Sequence, residues 1–192
     1  MVYILFDTEY TSWKGSQDRG WSGKNEYMEL VQIGALKCDE RYNIIEKLNI
    51  YIKPRINSYL SDYFVNLTGV TNEKIDKSGI DIVEALDIFY DFSKGVNQIF
   101  SYGNDYDIIE YNILLYNLNL PKYINPCFKN KFKDFKDTLK YYNLNPDQYT
   151  SGTIYKAFHL NTDISMNPHN ALSDAYSMYY VSKIIFRQLG IK

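Results

Sequence analysis

Two carboxylates stand close together near the start of the chain, in the segment FDTE at 6–9. Asp7 and Glu9 follow an apolar run with β-branched and aromatic residues, which is typical of a β-strand. Side chains two residues apart on a strand project to the same side, and burying two like charges is costly unless a cation compensates them. The pair is a candidate metal site, although, taken alone, two solvated acids at a strand end are the better explanation.

A third acid stands in SYGNDYD at 101–107, where a predicted strand gives way to a predicted helix. Asp105 would suit a helix start, which is a sufficient structural explanation for it. Asp107 competes with it as a site residue. We favour Asp105 because Ile108 and Ile109 follow it by three and four residues and share its face of the helix. The face of Asp107 instead carries side chains that look directed to solvent.

The remaining candidates lie near the end of the chain, in PHNALSDA at 168–175. His169 follows a proline and precedes the final predicted helix, so we expect it in a loop. Asp174 falls in the first turns of that helix, and its small neighbours let the helix approach a sheet closely. The other histidine, His159, has no acidic partner at useful spacing, and we interpret it as a structural residue.

These acids come from the first strand, from the end of the fourth strand and from the last helix, so they could converge at one edge of a mixed sheet. Four carboxylates suit two hard divalent cations such as Mg²⁺. Two such ions about 3.5–4 Å apart can activate a water and stabilise the leaving oxygen in phosphoryl transfer. A nearby histidine can accept the proton of that water near neutral pH.

Hydrophobic periodicity indicates which elements must position these residues. Strands are predicted over 2–10, 30–37, 44–52 and 96–102. Helices are predicted over 57–70 (short, followed by a turn), 80–93, 105–116, 153–158 and 170–189. The stretch 12–25 predicts a loop, and 128–142 is ambiguous. Strands followed by alternating strands and helices imply an α/β domain with a mixed sheet.

The composition is that of a globular protein. The 192 residues are 45% hydrophobic and 23% charged, which excludes disorder and suits one domain over 1–192. Cys38 and Cys127 show no metal-ligand spacing and favour a reducing compartment. No apolar run is long enough for a membrane span, and the first residues resemble no signal peptide. We therefore expect a cytoplasmic protein.

Together, the motifs resemble the DEDDh 3′–5′ exonucleases. The segments that carry the resemblance are FDTE at 6–9, LSDYFVNLTGVT at 60–71, SYGND at 101–105 and HNALSDA at 169–175. The resemblance spans essentially the whole chain and is closest to the Eri1-type and KapD-like branch, with RNase T and the proofreading subunit of bacterial replicase more distant. His169 stands five residues before Asp174, which is typical of the histidine type; the sister type has a tyrosine four residues before the aspartate.

The resemblance implies a ribonuclease-H-like fold with a five-stranded mixed β-sheet flanked by α-helices. It also implies two divalent ions, Mg²⁺ or Mn²⁺, with Asp7 contacting both. Glu9 and Asp174 would hold the ion on the nucleophile side, and Asp105 would hold the second ion, partly through water. His169 would be the general base and would contact the substrate.

Substrate contacts are also implied. Residues just after FDTE contact the terminal nucleotide in this family, so Thr8, Tyr10 and Trp13 are candidates, although Trp13 could equally pack within its loop. Tyr102 stands where the family often has tryptophan, and it keeps the aromatic character, so we expect it to contact substrate as well. The loop 12–25 is long, and no family roles are carried over to it.

The charge pattern suits a protein that binds a strand end. A net charge of −2 argues against gripping long duplexes by charge alone, and two divalent ions would reverse the sign of the field at the site. Lysines recur at 129, 131, 133, 136 and 140. Such a run could contact phosphates, but we favour the solvated face of a helix as its explanation.

The implied activity is hydrolysis of single-stranded nucleic acid from its 3′ end to nucleoside 5′-monophosphates. RNA is favoured because the resemblance is closest to the Eri1-like branch. A DNA proofreading or repair exonuclease is one alternative. A non-catalytic nucleic-acid-binding protein on the same fold is another, and it is disfavoured because all five expected positions carry competent residues. The sequence leaves the oligomeric state open.

Overall fold

A mixed β-sheet forms the centre of the computed structural model, which describes residues 2–160 and 167–189. Its strands are β1 (Tyr3–Tyr10), β2 (Leu30–Cys38), β3 (Ile44–Ile52), β4 (Gly79–Ile80), β5 (Gln98–Ser101) and β6 (Phe132–Asp134). The helices are α1 (Asp62–Thr68), α2 (Asn72–Ser78), α3 (Ile82–Phe92), α4 (Asp105–Leu115), α5 (Pro121–Ile124), α6 (Pro126–Lys129), α7 (Phe135–Tyr141) and α8 (Ala171–Leu189). Two 3₁₀ segments, Pro146–Gln148 and Ser151–Phe158, precede α8.

The sheet order is β4-β3-β2-β1-β5-β6, so β1 is internal. It pairs antiparallel with β2 and parallel with β5, and its first six residues are buried. A strand covered on both faces needs a continuous apolar run, and the segment from Tyr3 to Phe6 supplies one. The predicted mixed sheet flanked by helices is confirmed, with six strands in the described ranges where five were expected.

Successive side chains of β1 belong to two different cores. Ile4 and Phe6 pack with residues of α3 and α4 on one face of the sheet. Tyr3 and Leu5 pack with residues of α7, α8 and the second 3₁₀ segment on the other face. Asp7 continues the second series, because side chains along a strand alternate. The pleat therefore directs Asp7 toward α8.

Several sequence predictions change in detail. The helix predicted over 80–93 begins at Ile82, because Gly79 and Ile80 pair with the end of β3. The short helix predicted within 57–70 is α1, which ends at Gly69 in the left-handed conformation (φ 73°). The ambiguous stretch 128–142 contains the end of α6, all of β6 and all of α7. The lysines at 129–140 therefore lie on several elements, and the interpretation of them as one helix face was wrong.

Gly34 of β2 allows α8 to lie directly on the sheet. A Cβ at this position would lie 2.1 Å from the backbone nitrogen of Leu172 and 2.3 Å from the carbonyl carbon of Ala171. Gly34 is also the residue paired with Asp7 across the β1–β2 ladder. The first turn of α8 therefore crosses the sheet beside Asp7, and any side chain at position 34 would separate them.

Within the described part of the chain, no helix combines the length and the apolar character that crossing a membrane requires.

Replacing Gly34 by alanine tests this contact. The nearest atoms belong to backbone and cannot swing away, so we expect Gly34→Ala to lower the free energy of unfolding by ~3 kcal/mol, at the upper end of overpacking effects. Gly95→Ala is the matched control: it has a positive φ of 72° but nothing within 4 Å, so the backbone strain alone should cost about 1 kcal/mol. Urea unfolding measures both, and equal losses would contradict the role of the close contact.

Candidate active site

The C-terminal end of β1 carries the first two acids into a cavity of about 440 Å³. Asp7 is only 6% exposed, and Glu9 is partly buried. The two side chains lie on the same side of the strand, as their spacing predicts. The β1–β2 register shifts between Glu9 and Tyr10, so the regular ladder ends where the acids end.

Asp174 meets them from the first turns of α8 and is 3% exposed. The hydroxyl of Ser151 donates a hydrogen bond of 2.9 Å to its Oδ2, and the backbone N–H groups of Gly152 and His169 also donate to the carboxylate. A Cβ on Gly152 would lie 2.4 Å from Oδ1 of Asp174, so the carboxylate occupies the space that a side chain there would fill. The Oδ1 atom itself is buried without a hydrogen-bond partner among the described residues.

Asp7, Glu9 and Asp174 form one cluster, because each offers an oxygen and these oxygens all lie within 4.8 Å of one another. Burial raises the pKa of Asp7 and of Glu9 well above the usual range, and the neighbouring carboxylates add to the effect. Burial also raises the pKa of Asp174 to about 7, against the opposing hydrogen bond from Ser151. Three crowded acids with raised pKa values favour binding of a compensating cation.

Asp105 reaches the same cavity from the first turn of α4 and is 8% exposed. Its Oδ1 accepts hydrogen bonds from the backbone N–H of Thr8 (2.9 Å) and from the Thr8 hydroxyl (2.6 Å). Burial raises its pKa to about 6, against these hydrogen bonds. Asp107, the competing candidate, is exposed and does not line this cavity. The structure therefore brings Asp105, but not Asp107, beside the cluster.

His169 lines the cavity from the loop before α8, with its backbone in the left-handed conformation (φ 65°). Burial lowers the pKa of its imidazole, so the ring is neutral near pH 7 and can accept a proton. His159 is exposed at the end of the second 3₁₀ segment and does not line the cavity. The five acids and bases singled out from the sequence thus line one cavity.

The residues expected to contact substrate differ in whether they reach the cavity. Thr8, Tyr10 and Tyr102 line the cavity, and Trp13 does not. Trp13 instead closes a tight turn with Ser16, whose backbone N–H donates to the Trp13 carbonyl. Trp21 lines the cavity in its place: its ring packs on Tyr10 with centroids 5.4 Å apart, and its Nε1 donates to the carbonyl of Thr11.

Other lining residues have no role in the sequence analysis. Tyr63 and Leu67 face the cavity from α1, and Ser151 faces it from the second 3₁₀ segment. The first two lie four residues apart within the segment 60–71, so helical spacing could have indicated that they share a face. No local signal marks Ser151, because its contact is with a helix that follows much later in the chain.

The comparison with known families matches residues 4–182 to the exonuclease family of the RNase T type. Among curated proteins, the chain is similar to the 3′–5′ exonuclease eri1 of Schizosaccharomyces pombe, with 35% identity over 88 residues. This match covers 45% of the chain and 28% of that relative, so it spans under a third of the relative's length.

Solved structures show the same fold at low identity. The nuclease domain of 3′hExo, a DEDDh family member bound to rAMP, superposes with a TM-score of 0.78 at 18% identity, covering 97% of this chain and 92% of that one. Exonuclease I of E. coli in complex with single-stranded DNA gives a TM-score of 0.70 at 20% identity, covering 97% of this chain and 41% of that one.

The family match extends over nearly the whole chain and includes all the elements that carry the acids. The chain belongs to the exonuclease family of the RNase T type.

Proposed function

We propose that this chain is a divalent-metal-dependent 3′–5′ exonuclease that hydrolyses single-stranded nucleic acid to nucleoside 5′-monophosphates. The observation that carries the proposal is the cluster of Asp7, Glu9 and Asp174, whose oxygens lie within 4.8 Å of one another beside a histidine. The cavity volume of about 440 Å³ falls in the range of small-ligand sites and suits a strand end.

The donor set fits a hard cation. All the candidate ligands are carboxylate oxygens, and the buried Oδ1 of Asp174 lacks a hydrogen-bond partner in the described ranges. We propose that Asp7, Glu9 and Asp174 hold one Mg²⁺ or Mn²⁺ ion, and that Asp7 and Asp105 hold a second. When bound, such ions lower the pKa of water and stabilise developing charge on phosphate oxygens.

The chain's own residues would do the remaining work. His169 is neutral and lines the same cavity, so it can take the proton of the attacking water. Thr8 holds Asp105 through two hydrogen bonds and thereby fixes α4 against β1. Tyr10, Tyr63 and the other aromatic rings of the cavity offer faces on which a base can stack regardless of its identity.

RNA is the favoured substrate class. The curated relative is an eri1 exonuclease, and the similar nuclease domain of 3′hExo is bound to rAMP. DNA is the second candidate, because exonuclease I in complex with single-stranded DNA has the same fold. We propose a cytoplasmic location, because two free cysteines suit a reducing compartment.

A time course on 5′-labelled single-stranded RNA and DNA of one sequence, with Mg²⁺, Mn²⁺ or EDTA, tests the activity. We expect shortening from the 3′ end that EDTA abolishes, with RNA degraded faster. Asp174→Asn should lower the rate by ~10³-fold or more, because metal-derived stabilisation amounts to several kcal/mol. Asp76→Asn, in the exposed part of α2, is the control and should behave as wild type. A folded Asp174→Asn protein that keeps full activity would contradict the assignment.

His169→Ala separates proton transfer from metal binding. We expect the rate to fall ~10²–10⁴-fold, while Mn²⁺ binding measured by calorimetry is retained. The wild-type rate should decline as the pH falls through the pKa of His169, which burial shifts below 6.5, because protonated imidazole cannot accept a proton. The variant should lose this decline, and an unchanged pH profile would contradict the role of His169.

Gly152→Ala tests the space reserved for Asp174. The added methyl group would press on Oδ1 of Asp174, so we expect Mn²⁺ to bind ~10–100-fold more weakly, as when outer contacts of metal ligands are lost. The backbone of Gly152 has no positive φ, so steric contact is the main effect. Gly95→Ala, remote from the cavity, is the control for calorimetry. Equal Mn²⁺ affinity in the two variants would exclude this function of Gly152.

A further inference from the structure

The lining of the active-site cavity includes a basic side chain among several acids. Among the described residues that line the cavity, Lys136 is the only lysine or arginine, against acids that include Asp147 in addition to the four site carboxylates. Its Nζ lies 5.2 Å from the centroid of the Tyr102 ring. The described lining also includes Tyr10, Trp21 and, from α1, Tyr63 and Leu67, which offer aromatic and aliphatic groups.

Hydrogen bonds fix the backbone of Lys136 and the tyrosine ring beside its ammonium group. Oδ1 of Asp134 accepts hydrogen bonds from the backbone N–H of Lys136 (2.8 Å) and from that of Gly103 (3.0 Å). The hydroxyl of Tyr102 donates to the carbonyl of Pro146 at 2.6 Å, so the ring under the ammonium is held as well. The carboxylate of Asp134 therefore binds both the turn after β5 and the start of α7.

The ammonium of Lys136 has no ion-pair partner in the described part of the chain. Two other lysines of the segment 129–140 do have one: Lys129 pairs with Glu110 at 2.7 Å, and Lys140 pairs with Asp137 at 2.9 Å. Like Lys136, Lys133 of β6 makes no ion pair within residues 2–160 and 167–189. These two charges are therefore available to an external anion.

A second cavity of about 210 Å³ lies next to the first, and Asn104 lines both. Lys133 lines this second cavity together with Gly103. Gly103 has a φ of 100°, and a Cβ there would lie 3.9 Å from Cε of Lys136. The backbone conformation favours glycine, and a side chain at this position would come into contact with Lys136.

We propose that Lys136 and Lys133 bind the phosphate groups upstream of the scissile bond and lead the strand from the active site across Tyr102 into the second cavity. This inference rests on the proposed exonuclease function. A polyanion that enters a cluster of acids needs cations along its path, and Lys136 and Lys133 line the two cavities without an ion-pair partner among the described residues. The aromatic and aliphatic side chains of Tyr10, Trp21 and α1 suit the base and sugar of the terminal nucleotide.

Two substrates distinguish binding of the upstream phosphates from hydrolysis of the scissile bond. The first is the p-nitrophenyl ester of thymidine 5′-monophosphate, which has no upstream phosphate; the second is a short labelled oligonucleotide. We expect Lys136→Gln to lower kcat/KM on the oligonucleotide ~10-fold through KM, with a loss on the ester at least fivefold smaller. The slope of log affinity against log salt should fall by about 0.7 per lost contact. Lys133→Gln should act in the same direction, and Lys136→Arg should restore binding.

Lys77→Gln is the matched control, since Lys77 is exposed at the end of α2, beside the opposite edge of the sheet. Equal losses on both substrates, or no loss on the oligonucleotide, would overturn the inference. If the wild type cleaves neither substrate, the proposed function fails, and fluorescence anisotropy with the labelled oligonucleotide decides the inference separately. A salt-dependent loss of affinity in Lys136→Gln would then support it, and unchanged affinity would overturn it.

Discussion

The close packing of α8 on β2 at Gly34 is the contact on which the site depends. Asp7 lies on β1, an internal strand of the sheet near the start of the chain, whereas Asp174 comes from a helix near the other end of the chain. The backbone of α8 lies where a Cβ of Gly34 would be, and Gly34 is the ladder partner of Asp7. The absence of one side chain therefore sets the separation of two carboxylates that are remote in sequence.

The clustered carboxylates repel one another when no cation is bound, and the neighbouring hydrogen-bond donors compensate their charge only in part. Ser151 and two backbone N–H groups donate to Asp174, and Thr8 donates to Asp105. These donors orient the carboxylates, yet burial still raises their pKa values, and Oδ1 of Asp174 has no donor in the described ranges. Hydrogen bonds fix one side of the Asp174 and Asp105 carboxylates, and the remaining oxygens of the cluster are left to a positively charged ligand.

The sequence predicted those parts of the fold that have a long pattern of their own. The apolar run of β1 and the helical stripe of α8 are visible locally, and the helical face of Ile108 and Ile109 was enough to favour Asp105 over Asp107. The strands β4 and β6 were missed because they have two and three residues. Pairing with a neighbouring strand defines such short elements, and no periodicity can show it.

The sequence could predict the acids and the histidine of the candidate site from their residue types and the order of their motifs. It could not predict which of several similar residues reaches the cavity, because tertiary contacts decide that. Two tryptophans stand in the loop 12–25, and the hydrogen bond from Trp21 to Thr11 selects Trp21 for the cavity. The lysines at 129–140 look equivalent in sequence, but the chain changes from α6 to β6 to α7 within that span. Acidic neighbours then neutralise Lys129 and Lys140, whereas Lys136 lines the cavity and makes no ion pair within the described residues. The function proposed for the charge of Lys136 depends on the fold, which separates this side chain from the other lysines of the segment.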